Sequence, residues 1–154
     1  ILESYIFEKK ILSPKDLPID APIYKEKIPA FITIYDNKEV VASIGRIYPS
    51  HETLVEELIE NTLLLTKDPR FEPYTHNPEM ARKLHYRVDI FHDTDRRLLH
   101  HPDDLDTASE GIIVLCQKQG KVGIILPHML SSTLSGEEFY HHAVQKIDID
   151  TKKL

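Results

Sequence analysis

Nitrogen and oxygen donors crowd two neighbouring stretches, His92-Asp93-Thr94-Asp95 and His100-His101-Pro102-Asp103-Asp104. Imidazoles and carboxylates together are the donor set that a hard or borderline divalent ion takes. The spacing argues against a site. No two of these histidines fall at i and i+4 on an expected helix, and the stretch lacks the glycine of a calcium-loop pattern. Adjacent histidines face one ion only where a fixed outer shell orients them. His141-His142 fall on an expected helix, where neighbouring side chains diverge by about 100°. The expectation is a protein without a native metal and without another cofactor.

Nucleophilic chemistry has equally thin support. The single cysteine, Cys116, follows an apolar β-type run and reads as a core or half-buried thiol, not as the thiolate of an electropositive pocket. No Gly-x-Ser-x-Gly elbow, phosphate loop or dinucleotide fingerprint occurs, and five glycines leave little backbone for a phosphate cradle. No catalytic residue is assigned. Three stretches at element ends remain as binding candidates, because sites are often built on such ends. They are Ser43-Ile44-Gly45-Arg46, Asp68-Pro69-Arg70-Phe71 and Leu126-Pro127-His128. Gly45 signals a close backbone approach or a bulge. The plainer reading of Asp68 and Arg70 is that they tie a loop together.

The elements that must position these residues follow from composition and pattern. The chain has 154 residues, 41% of them apolar and 29% charged, which suits one globular domain and excludes global disorder. Its net charge of −6 opposes non-specific binding to nucleic acid or an anionic membrane. One cysteine excludes an internal disulfide framework and fits a reducing compartment, so a cytoplasmic location is expected. No apolar run reaches the roughly 18 residues of a membrane helix, and no signal-peptide pattern is seen. The sequence begins at Ile1 with a stretch that reads like the inside of a helix, which leaves open a truncated chain or one domain of something larger.

Residues 1–10 fit the end of an amphipathic helix. Pro14, Pro18, Pro22 and Pro29 make residues 12–29 an extended connector. Residues 30–35 and 39–47, joined by Asp36-Asn37-Lys38, read as a hairpin. A helix is expected from Pro49-Ser50 to Pro69, with Leu54, Val55, Leu58, Ile59, Thr62 and Leu63 on its inner face. Its Glu52, Glu56, Glu57 and Glu60 form a solvated face. One helical turn is expected at 78–83 and a half-buried strand at 84–92. Residues 111–117 read as a central strand that pairs with 122–126 through Gln119-Gly120. Ser135 and Glu138 form a capping box for a last helix through Lys146 that buries Phe139, Ala143 and Ile147. The elements add up to an α+β fold with a central, mostly antiparallel sheet and helices packed on it.

At these residues the sequence resembles the AMMECR-one-like family, known in bacteria and archaea as AmmeMemoRadiSam system protein A. The match runs in order through Phe31-Ile32-Thr33-Ile34-Tyr35, Asp68-Pro69-Arg70-Phe71, Gly111-Ile112-Ile113-Val114, Ile124-Ile125-Leu126-Pro127-His128 and Glu137-Glu138-Phe139. It covers nearly the whole chain. The family's Leu-Arg-Gly-Cys-Ile-Gly signature is altered here to Val40-Val41-Ala42-Ser43-Ile44-Gly45. The usual Arg falls on Val41, the first Gly on Ala42 and the Cys on Ser43. The usual Gln after the proline is His128, and a late Cys-x-Lys-Ala-Gly falls on residues 144–148.

The resemblance implies a cleft on which Ser43, Gly45, Arg46, Asp68, Arg70 and His128 converge. It implies operation beside a Memo-like protein and a radical-SAM enzyme. With the signature Arg and Cys replaced, the expectation is a non-catalytic partner or scaffold domain. The alternative is a small-molecule binder or enzyme with its cleft near Ser43, Arg46, Arg70 and His128. Nucleic-acid binding is disfavoured by charge. The sequence does not specify an oligomeric state.

Overall fold

β1 (Ala30–Asp36) is the strand around which the first half of the chain is organised, and its residues explain why. Ala30 to Ile34 are all buried, so the strand is covered on both faces. It pairs antiparallel with β2 (Glu39–Gly45) on one side and β3 (His85–Ile90) on the other, giving the order β2-β1-β3. Asn37, in the left-handed region at φ 55°, makes the β1–β2 turn. The register slips between Ile34, which faces Ala42, and Tyr35, which faces Val40. Val41 is thus the extra residue of a β-bulge.

The structure is a computed structural model that describes residues 1–92 and 96–151, the last four of these as backbone only. The chain forms two compact units, Ile1–Arg96 and Arg97–Leu154. In the first unit, α1 (Leu2–Glu8) and α2 (Leu54–Leu65) accompany the three-stranded sheet. The single turns α3 (Glu72–Thr75) and α4 (Pro78–Ala81) lie between α2 and β3. The proline-rich connector holds two 3-10 turns, Pro14–Asp16 and Pro22–Lys25. The core of this unit joins Leu2 and Ile6 of α1, Ile32, Ile34, Val41 and Ala42 of the sheet, Leu65 of α2 and the buried Phe71.

In the second unit β4 (Ile112–Cys116) and β5 (Lys121–Ile125) form an antiparallel hairpin, turned at Gly120 with φ 62°. α5 (Gly136–Thr151) packs on it through Phe139, Ala143 and Ile147. A side chain at Gly123 would collide with the Ala143 carbonyl, so the glycine lets the helix backbone approach the sheet. The capping box is present: Ser135 N–H donates to Glu138 Oε2 at 2.8 Å and Glu138 N–H to Ser135 Oγ at 3.3 Å. The fold class is α+β with antiparallel strands, as expected; among the described residues the strands form two sheets, of three and two strands, where one central sheet was expected.

Four local expectations are corrected. α2 begins at Leu54, not at Pro49-Ser50, because Thr53 supplies the cap and accepts from Glu56 N–H. β4 is not a central strand, since among the described residues its sheet has two strands only. β3 is less buried than its alternation suggested: Tyr86 is 45% and Val88 47% exposed. Glu57 is not on a solvated face; it is completely buried.

Candidate functional site

The loop from Arg46 to Thr53 joins β2 to α2, and its polar groups converge on the first half of that helix. Glu57 is the centre. Its Oε2 accepts from Ser50 N–H at 2.9 Å, His51 N–H at 3.2 Å and Ser50 Oγ at 3.1 Å. Its Oε1 accepts from Arg46 Nη1 at 3.2 Å. A carboxylate can be buried this way only because charge and hydrogen bonds replace the lost water. Burial alone would raise the Glu57 carboxyl. The donors from Ser50, Arg46 and His51 outweigh it and hold the group below the ordinary range.

Arg46 Nη1 also donates to Glu60 Oε2 at 2.9 Å, Asn61 Oδ1 at 3.2 Å and Ser50 Oγ at 3.0 Å. Two protons are therefore shared among four oxygens. Desolvation works against the charged guanidinium, but the two glutamates more than offset it and raise its pKa. Glu60 lies below its usual range chiefly through His51, whose Nε2 is 3.0 Å from Glu60 Oε2, with Arg46 adding to the effect. Asn61 is also buried and donates through Nδ2 to the Ala30 carbonyl at 3.2 Å, which ties the network to β1. The arrangement fixes one loop between a strand end and a helix.

Each expected site residue has a place. Ser43 is half-buried, and its hydroxyl is 3.0 Å from that of the buried Thr33 across the β1–β2 ladder. Gly45 faces Phe31, and a side chain there would run into the Phe31 ring and come within 2.6 Å of the Ala30 carbonyl. Its role is to seat an aromatic ring across the strand. Arg46 is the cation of the network above. Asp68 and Arg70 lie beyond the far end of α2. Arg70 donates from its backbone N–H and Nε to Asp68 Oδ1 at 2.9 and 3.1 Å, and from Nη2 to Oδ2 at 2.8 Å. That is the loop tie expected of Asp-Pro-Arg-Phe, and it raises the Arg70 pKa chiefly through Asp68. His128, with φ 65°, is exposed and belongs to the second unit. Val41, at the position of the family's arginine, is buried in the first core.

Sequence reasoning missed Ser50, His51, Glu57, Glu60 and Asn61. One signal was available. Glu57 and Asn61 are four residues apart and fall inside the stripe that carries Leu54, Leu58 and Leu65. Polar residues in such a stripe need partners once buried.

The apolar cavity of the first unit is a separate feature. It measures about 400 Å³ and is lined by residues such as Ile32, Ile34, Leu58, Leu65, Tyr86 and Val88. None of the six expected site residues lines it.

Of the donor-rich stretch weighed for a metal, Asp93 and Asp95 lie outside the described residues. Among the described residues His101, Asp103 and Glu137 bring one donor atom each within 4.8 Å of one another. His101 Nδ1 accepts from Asp103 N–H at 3.3 Å, and its Nε2 lies 4.0 Å from Glu137 Oε1, beyond hydrogen-bond distance. His141 and His142 are both exposed, and His141 Nδ1 lies 2.8 Å from the Glu137 carbonyl of its own helix. Cys116 is half-buried at the end of β4. Among the described residues no helix is long and apolar enough to cross a membrane.

No curated protein matches this chain. The family model described as AMMECR1 matches residues 1–154, the whole sequence. The ordered motifs and this match over the whole sequence lead to one conclusion: the chain belongs to the AMMECR1 family.

Proposed function

We propose that this chain is a non-catalytic partner domain that acts by presenting a surface to other proteins, with a Memo-like protein and a radical-SAM enzyme as the expected partners. The observation that carries the reading is the engagement of Arg46: the cation nearest the altered signature has its Nη1 shared among Ser50, Glu57, Glu60 and Asn61. An anion-binding arginine offers its donors to the ligand. This one commits Nη1 to its own loop at Ser50 and to Glu57, Glu60 and Asn61 of α2. The same holds for the other signature groups. Ser43 is hydrogen-bonded to Thr33, and no base is bonded to it among the described contacts. A serine nucleophile requires a base within hydrogen-bond reach and a third group to orient that base. Val41 has no polar atom and lies in the core.

The test pairs two measurements on the same purified protein. Native mass spectrometry across a metabolite panel is expected to show no bound small molecule, and affinity capture with a Memo-like protein or a radical-SAM enzyme is expected to show a complex. Tight small-molecule binding that is abolished by Arg70→Ala or His128→Ala would instead establish a ligand cleft near Ser43, Arg46, Arg70 and His128.

A further inference from the structure

Among the described residues β3 is an edge strand, paired with β1 and with no other strand. Edge strands with open backbone groups are templates for another strand unless something blunts them. The first blunting device, burial under other chain segments, is weak here, because His85, Tyr86, Arg87 and Val88 are all exposed. The second, a proline within the strand, is absent from His85-Tyr86-Arg87-Val88-Asp89-Ile90. What the strand does carry is an ordered alternation. Tyr86, Val88 and Ile90 share the face of Ile34, Ile32 and Ala30, their partners on β1. Arg87 and Asp89 share the other face, where Arg87 Nε is 3.0 Å from Asp89 Oδ1.

We propose that the β3 edge pairs antiparallel with β3 of a second copy of this chain, about a two-fold axis at Val88, extending each three-stranded sheet into one of six strands. The choice of occupant follows from charge and register. In an antiparallel pair, opposed residues must point to the same face, so a two-fold axis normal to the sheet has to pass through a residue opposed to itself. Centring it on Arg87 sets Arg87 against Arg87, and centring it on Asp89 sets Asp89 against Asp89. Like charges directly opposed destabilise a ladder. Centring it on Val88 sets Arg87 against the partner's Asp89 twice, and on the other face sets Val88 against the partner's Val88 and Tyr86 against the partner's Ile90. Of the three central registers, that one matches charge with charge and apolar with apolar throughout. A partner of different sequence would have to reproduce this pattern; a second copy does so by symmetry.

Charge-swapped variants of the full chain test the register directly. Sedimentation equilibrium over a concentration series is expected to show the 17.8 kDa chain approaching twice its mass. Arg87→Asp alone, or Asp89→Arg alone, is expected to weaken self-association about tenfold or more, because both cross-pairs become like-charged. Mixing the two variants restores association: one copy then presents two carboxylates on that face and the other two guanidiniums. The mixture separates the proposal from damage to the Arg87–Asp89 pair within one strand, which mixing does not repair. Circular dichroism melts confirm that each variant is folded. As a second measurement, Val88→Cys in a Cys116→Ser background is expected to oxidise to a covalent dimer. Opposed Cα atoms about 4.5–5.5 Å apart suit a disulfide. A chain that stays monomeric at every concentration overturns the proposal, as would happen if a different protein is the natural occupant of this edge. A dimer that is indifferent to both charge reversals, or variants that fail to associate when mixed, overturns it as well.

Discussion

Arg46 Nη1 lies 3.2 Å from Oε1 of the fully buried Glu57, so one ion pair fastens the end of β2 to the first half of α2. The same carboxylate holds the backbone of Ser50 and His51. The loop conformation therefore depends on a charge that the helix supplies from inside the unit.

Replacing that charge should be costly out of proportion to the change in size. Glu57→Gln keeps the shape but removes the charge facing Arg46 and puts an amide where an acceptor was. A loss of about 1–3 kcal/mol is expected, the range for a buried polar group left poorly paired. Urea unfolding monitored by circular dichroism measures it. A loss within the few tenths typical of surface changes would show that Glu57 is not holding the loop.

Two arginines close to family motifs should behave differently. Arg70 is mostly exposed and paired with a neighbour two residues away. Arg70→Ala should cost no more than about 1 kcal/mol, as exposed pairs do. Arg46→Ala strands the buried Glu57 and should cost more, approaching the roughly 3–5 kcal/mol seen when one member of a buried pair is removed, reduced by the part of Arg46 that reaches water. Parallel denaturation curves of the two variants give the comparison, and equal losses would contradict it.

In the second unit Arg97 donates from Nε and Nη2 to the two oxygens of Glu110, at 2.9 and 2.6 Å, and Asp106 N–H adds a third bond at 2.9 Å. Arg97 is the largest cause, and the Glu110 carboxyl is lowered from 4.5 to about 2. A carboxyl lowered in the folded state contributes stability that is fully present above its ordinary pKa. That contribution falls away as the pH drops from about 4.5 towards 2. Glu110→Gln should therefore be less stable than the parent at neutral pH, and the gap should close across that window. Thermal melts at a series of pH values follow it; a gap that stays constant down to pH about 2 would contradict the assignment.

Signals confined to a few neighbouring residues were legible in the sequence. The hairpin turns at Asn37 and Gly120, the Ser135–Glu138 box, the inner face of α5 and the Asp68–Arg70 tie all depend on residues within a turn or two of one another. Local propensity and periodicity encode such contacts directly. What tertiary structure decided is what lies opposite each residue. Glu57 reads as a surface charge until the loop from β2 folds over it. Gly45 reads as part of a binding signature until register sets it against Phe31. The run 111–117 reads as a central strand until pairing gives β4 one neighbour alone. In each case the deciding partner is distant in sequence or fixed by strand register, and the residue's own type and spacing carry no record of it.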